Sequence, residues 1–133
     1  MTLIKKNYIL GMFLLILFTA ACALAGRVPM TLSEKDASKT IELNIGDNLV
    51  IALEGNITTG YTWEMESKDN AVLRQVGDPQ VTPQSQALGA PGKIALKFEA
   101  VNSGQAALKL VYHRPWEKDV APLQTFEVTV VVK

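Results

Sequence analysis

The chain is short of the residues that most chemistry requires. It has one cysteine, Cys22, and one histidine, His113, in 133 residues. A disulfide within one copy is therefore excluded, and so is a metal site built on several thiols or imidazoles. A Cys–His catalytic pair is also excluded downstream of Cys22. Serine and aspartate are present, but no nucleophile-elbow motif accompanies them. His113 is more simply read as a loop-edge residue, exposed or satisfied by a neighbour. Carboxylates do not cluster as a calcium or magnesium site would need. No stretch beyond the N-terminal run carries apolar residues at helical spacing over two turns, so no helix N-terminus is available to cradle phosphate. Charge of one sign is also lacking. Lys5 and Lys6 lie at the N-terminus, which leaves eleven basic against thirteen acidic residues from Arg27 onward. The absence of a basic patch argues against nucleic acid as a partner. An enzyme, a metalloprotein and a cofactor protein are all disfavoured.

The N-terminus has the layout of an export signal. Lys5 and Lys6 precede an almost wholly apolar run from Tyr8 to Ala25. Small residues and then polar sequence follow from Arg27. Ala23-Leu24-Ala25 suits cleavage before Gly26, giving a leader over 1–25 and a domain over 27–133. Thr19-Ala20-Ala21-Cys22 resembles a bacterial lipobox, although Thr19 stands where leucine is usual. Cleavage before a lipidated Cys22 is the second option, and a retained membrane anchor is the third, since the run is about long enough to span a bilayer. The first two imply an exported protein, in the periplasm, secreted or lipid-anchored at the cell envelope, that touches membrane only through this segment.

From Arg27 to Lys133 the pattern is one of short alternating runs broken by Gly, Asn, Asp and Pro. Such spacing predicts an all-β sandwich or barrel. Strands are expected over 40–45, 49–53, 61–66, 71–76, 93–101, 106–112 and 123–132, with a short edge strand over 79–83. Tyr61, Trp63 and Met65 share one face, and so do Ile94, Leu96 and Phe98. The resulting fold class is an immunoglobulin-like antiparallel β-sandwich of seven or eight strands in one domain. Each strand has one apolar face to bury, which two packed sheets satisfy. Without a disulfide, packing alone must hold it.

Three loops have unusual composition. The first is Asn56-Ile57-Thr58-Thr59-Gly60-Tyr61, with Trp63 behind it. The second holds Leu88-Gly89-Ala90-Pro91-Gly92, and the third is Tyr112-His113-Arg114-Pro115-Trp116-Glu117. In a seven-strand sandwich they join strands B–C, D–E and F–G, which open at one end. Loops converging on a rigid scaffold are where binding function usually sits.

These residues resemble the chagasin-type inhibitors of papain-family cysteine peptidases. That family carries an Asn-Pro-Thr-Thr-Gly-(Tyr/Phe)-x-Trp motif, then a glycine-rich motif, then Arg-Pro-Trp. Asn56, Thr58, Thr59, Gly60, Tyr61 and Trp63 align with the first, Gly89 and Gly92 with the second, and Arg114-Pro115-Trp116 with the third. The resemblance covers roughly 43–132. Ile57 replaces the family's proline, and Pro91 stands where glycine is common.

The resemblance implies a reversible inhibitor that works as a monomer without cofactor or metal. Its first loop enters the peptidase cleft, and the other two grip the flanks. Asn56, Ile57, Thr58, Thr59, Gly60, Tyr61, Leu88, Gly89, Ala90, Gly92, Arg114, Pro115 and Trp116 are then the peptidase-binding residues. Small Thr58, Thr59 and Gly60 suit a narrow cleft. Asn56 is better placed to hold its own turn, and Tyr61 and Trp63 to support the loop from within. Trp116 is the leading hot-spot residue. Arg114 either pairs with a carboxylate across the interface or braces its own loop. The competing reading is a non-inhibitory envelope-binding or adhesion module on the same sandwich, which would not need the three motifs together.

Overall fold

The computed structural model describes residues 26–66 and 70–133. The leader expected over 1–25, with Cys22, lies outside them. The described residues form nine strands: β1 Met30–Leu32, β2 Thr40–Leu43, β3 Asn48–Gly55, β4 Thr62–Met65, β5 Leu73–Gln75, β6 Gln80–Pro83, β7 Gly92–Ala100, β8 Gly104–His113 and β9 Gln124–Val132. Single 3₁₀ turns cover Glu34–Asp36 and Ile57–Thr59.

The strands make two sheets. One runs β1-β3-β7-β5, with β6 also on β7, and the other β2-β9-β8-β4. The period-two alternation fixes which residues meet between them. Leu49, Ile51 and Leu53 of β3 and Ile94, Leu96 and Phe98 of β7 are buried. They face Leu108 and Leu110 of β8 and Phe126, Val128 and Val130 of β9. Among the described residues no polar or charged side chain is fully buried. Apolar burial therefore carries the fold, as a chain without a disulfide requires.

Three details differ from the sequence expectation. The sandwich has nine strands, because Met30–Leu32 adds a short β1 with only Leu32 buried. Three residues are too few to show a period. The sheets are not purely antiparallel: β1 pairs parallel with β3 and β2 parallel with β9. The segment between these two edge strands crosses from one sheet to the other, so neither is hairpin-linked to its partner. Finally, β2 stops at Leu43, and Ile45 is exposed beyond it. The backbone has already turned there, with Gly46 at φ 88°.

Strands β5 and β6 form one interrupted edge along β7. β5 covers Phe98 to Ala100, and β6 covers Gly92 to Ala95. The break at 76–79, with Gly77 at φ 71°, and Pro83 at the end shorten this edge and blunt it against pairing with another chain.

Register places the functional end. Gly55 lies opposite Gly92, and Gly92 opposite Pro83. Thr62 lies opposite His113, and Tyr112 opposite Gln124. The connections β3–β4, β6–β7 and β8–β9 therefore leave the same end of the sandwich. These are the three loops singled out by composition.

Candidate functional site

The first loop is a single 3₁₀ turn held by its own side chains. Asn56 caps it: Oδ1 accepts from the Thr58 N–H at 3.1 Å and also from the Thr58 hydroxyl. The Thr59 hydroxyl donates to the Asn56 carbonyl at 2.6 Å. Gly60 ends the turn in the left-handed region at φ 82°, and its N–H donates to the Ile57 carbonyl at 3.0 Å. That φ favours glycine over any residue with a Cβ. Ile57, Thr58 and Thr59 all face solvent.

The loop is tied to both others. Asn56 Nδ2 donates to the Gly89 carbonyl of the second loop at 2.8 Å. Arg114 Nε donates to the Thr59 carbonyl from the third loop at 3.0 Å. Trp116 lies over Gly60 so closely that an added Cβ would sit 2.3 Å from Trp116 Cη2. Gly60 is thus required twice, by its φ and by the ring above it.

Beneath the loops an aromatic ladder runs along the β4–β8 edge, where Trp63 lies opposite Tyr112. The Trp63 and Tyr112 ring centroids are 5.1 Å apart, and those of Tyr112 and Tyr61 are 5.3 Å apart. The Arg114 guanidinium stacks on Tyr61 with its Cζ 4.6 Å from the ring centroid. The polar tips of Trp63 and Tyr112 have partners. Trp63 Nε1 donates to the Glu54 carbonyl at 2.9 Å, and the Tyr112 hydroxyl accepts the Asn56 N–H at 2.8 Å. Gly55 makes room, since a Cβ there would meet Ile94 Cδ1 at 2.5 Å and Tyr112 Cε2 at 3.3 Å.

The third loop is rigid at its root. Arg114 Nη1 and Glu117 Oε1 are 2.9 Å apart, and the Glu117 N–H donates to the Arg114 carbonyl at 3.1 Å. The hydrogen bond to Glu117 raises the Arg114 pKa further above its already high ordinary value, so the guanidinium stays charged. His113 Nε2 lies 2.9 Å from Glu64 Oε2 across the β4–β8 pair. Arg114 braces its own loop rather than projecting outward.

The second loop closes through Ala90 N–H to Ala87 carbonyl and Gln84 N–H to Pro91 carbonyl, at 3.2 and 3.3 Å. Its tip is Leu88, whose relative exposure of 104% marks a side chain entirely off the fold. Gly89 takes φ 76°, and Ala90 is half-buried. Gly92, expected among the peptidase-binding residues, packs inside the sheet. It is buried in β7, and a Cβ there would sit 2.6 Å from the Thr82 carbonyl oxygen. It lets β6 approach.

Ile57, Leu88 and Trp116 stand exposed at this end, at 51%, 104% and 66%, one on each loop. Pro115 is exposed beside Trp116, whereas Tyr61 is half-buried. Sequence reasoning missed Tyr112, Gly55 and Glu54 as supports. A glycine closing an apolar strand was a signal for Gly55; Tyr112 is an ordinary strand residue until the sheets are stacked.

Comparison with known proteins follows the same boundaries. The family described as Chagasin family peptidase inhibitor I42 matches residues 42–130. Amoebiasin-1 of Entamoeba histolytica is 35% identical over 106 residues, 78% of this chain and 100% of that protein. Chagasin of Trypanosoma cruzi is 31% identical over 81 residues, 58% of this chain and 74% of that protein. A crystal structure of a cysteine protease inhibitor from Entamoeba histolytica superposes with a TM-score of 0.66 at 28% identity, covering 78% of this chain and 95% of that one.

Proposed function

The chain belongs to the chagasin family of peptidase inhibitors, and on that premise we propose how it stops its target: the β3–β4 loop plugs the cleft of a papain-like cysteine peptidase, flanked by the β6–β7 and β8–β9 loops. The protein is a cysteine protease inhibitor. One observation carries the three-loop reading. Asn56 to Gly89 and Arg114 to Thr59 tie the loops into a single unit with an apolar residue exposed on each.

The physical logic is preorganisation. A turn closed by its own hydrogen bonds and pinned to its neighbours loses little conformational freedom on binding. Thr58, Thr59 and Gly60 are small enough for backbone to enter a narrow cleft. Trp116 and Leu88 supply apolar area at the flanks, and large aromatic anchors dominate interface energetics. Ile57, where the family has proline, puts a branched apolar side chain at the tip. The Asn56 cap and the bonds of Thr59 replace part of the stiffness that a proline would give.

We further propose that the protein is exported and acts as a monomer. β1 and β2 begin the fold, and Val132 pairs with Leu43 and Gly104 at the end opposite the loops. Arg27 joins Asp47 at that same end. Both chain termini of the domain therefore lie away from the loops. A tether at Cys22 would leave the loops free, and so would release before Gly26. The intact mass of the mature protein, with or without lipid on Cys22, decides between these two.

The test is titration of residues 27–133, which hold all nine strands, into active papain with a fluorogenic substrate. Stoichiometric and reversible loss of activity is expected. Trp116→Ala should weaken it about thirtyfold, equivalent to about 2 kcal/mol. A folded domain that inhibits neither papain nor related cysteine peptidases would overturn the cleft-plugging reading.

A further inference from the structure

An inhibitor that enters a peptidase cleft presents peptide bonds to the enzyme's own nucleophile, and we infer that Arg114 is the positioning residue that keeps the Thr59–Gly60 bond from being cut. This inference rests on the cleft-plugging reading for the enzyme concerned.

Cleavage there requires a defined sequence of events. The thiolate adds to the Thr59 carbonyl carbon, and the C=O electron pair moves onto oxygen, where donors of the enzyme must receive it. The intermediate then collapses, the C–N bond breaks, and the Gly60 nitrogen leaves with a proton from the enzyme's acid. Water later releases the acyl group.

Both ends of this bond are engaged inside the inhibitor. The Thr59 oxygen accepts from Arg114 Nε at 3.0 Å, and the Gly60 N–H donates to the Ile57 carbonyl at 3.0 Å. The neighbouring Asn56 carbonyl accepts both the Thr59 N–H and the Thr59 hydroxyl, at 3.3 and 2.6 Å. To reach the enzyme's donors, the Thr59 oxygen must first leave a guanidinium.

That guanidinium has little freedom to follow. Glu117 Oε1 holds Nη1 at 2.9 Å, and the plane rests on Tyr61, itself stacked on Tyr112. Trp116 covers Gly60 on the leaving-group side, because no Cβ fits between them. The turn is also folded, whereas a peptidase cleft reads extended backbone. Arg114 thus couples the third loop to the integrity of the first, a role separate from contact with the enzyme. A charge-assisted bond of this kind is among the stronger local restraints available to an exposed loop.

The experiment compares wild type, Arg114→Ala and Arg114→Lys of residues 27–133. Each is incubated with excess papain and, separately, with proteinase K, and cleavage is mapped by intact mass. The expected result is that wild type stays whole at 56–60. Arg114→Ala is cut at Thr59–Gly60 at least about tenfold faster by both enzymes, with its melting temperature unchanged within a few degrees. Arg114→Lys recovers part of the protection, since its ammonium can still donate to the Thr59 carbonyl. Lysine also decides the matter if the alanine variant does not fold. Equal resistance of the folded Arg114 variants and wild type would overturn the inference. So would cleavage spread over the loops with no preference for that bond. If wild type fails to inhibit papain, the cleft-plugging reading falls, while the proteinase K comparison still decides the role of Arg114.

Discussion

Gly60→Ala is the substitution whose cost the structure resolves into parts. The first part is backbone. Gly60 sits at φ 82°, where a residue with a Cβ is strained by about 1–2 kcal/mol. The second part is Trp116. The new methyl would lie 2.3 Å from its Cη2, so the ring must move. The ring is the far end of a side chain and can move, but it then loses its seat. Trp116 is 66% exposed, so the fold covers about a third of it. A third of a tryptophan is roughly 80 Å². At about 25 cal/mol per Å² that contact contributes about 2 kcal/mol at most. Gly60→Ala should therefore destabilise the domain by about 2–3 kcal/mol. In a Trp116→Ala background only the backbone part remains, about 1–2 kcal/mol. Urea denaturation of wild type, both single variants and the double variant measures the difference as a coupling of about 1 kcal/mol or more. Equal costs of Gly60→Ala in both backgrounds, within about 0.5 kcal/mol, would show that the ring does not depend on the glycine. Inhibition of papain measured on the same four proteins should show the same non-additivity, because displacing Trp116 and deleting it both remove one flank.

Three further outcomes follow from other contacts. Tyr112→Phe deletes the acceptor of the Asn56 N–H, and should cost about 1 kcal/mol in chemical denaturation while raising amide exchange at Asn56. Gly92→Ala pushes a methyl against the Thr82 carbonyl, which is backbone and cannot swing away. It should destabilise by about 1–3 kcal/mol and release β6, seen as lost protection at residues 80–83. The third outcome concerns pH. Asp36 is held below its ordinary value chiefly by the Lys39 side chain, and Asp47 chiefly by the Asn44 N–H. Desolvation pushes Glu34 up, but hydrogen bonds from its own backbone, Glu54 N–H and Lys93 outweigh that and leave it lowered. Folded values depressed below unfolded ones add stability that is complete above the unfolded values. It is lost as pH falls through the folded ones. The melting temperature should therefore hold steady from neutral pH down to about 4 and fall below it. Asp47→Asn should flatten that fall.

Legibility in the sequence followed local physics. The continuous apolar run Leu49–Leu53 marked a strand, and the alternation of Ile94, Leu96 and Phe98 marked both a strand and its buried face, because side chains point to opposite faces with period two. Glycine and proline marked where the chain turns. The motifs named the three loops, since Asn56, Gly60 and Arg114-Pro115-Trp116 carry unusual local demands. What alternation does not encode is the partner of a strand. The parallel pairing of β1 with β3 and of β2 with β9 depends on a crossover between sheets that no local pattern records.

The sequence by itself thus determined an all-β chain with three distinctive loops, and tertiary structure decided what each loop residue does. Arg114 looked equally suited to reaching outward or bracing inward. Pairing of β4 with β8, Thr62 opposite His113, put Tyr61 beneath it and the Thr59 carbonyl beside it, and it braces. Gly92 belonged to a loop motif, yet β6 passes over it and buries it. Tyr112 became the support of the first loop only because sheet packing brings it within 2.8 Å of the Asn56 N–H, 56 residues away in the chain. Propensity and periodicity act over a few residues, whereas these roles arise between residues that only the packed sandwich brings together.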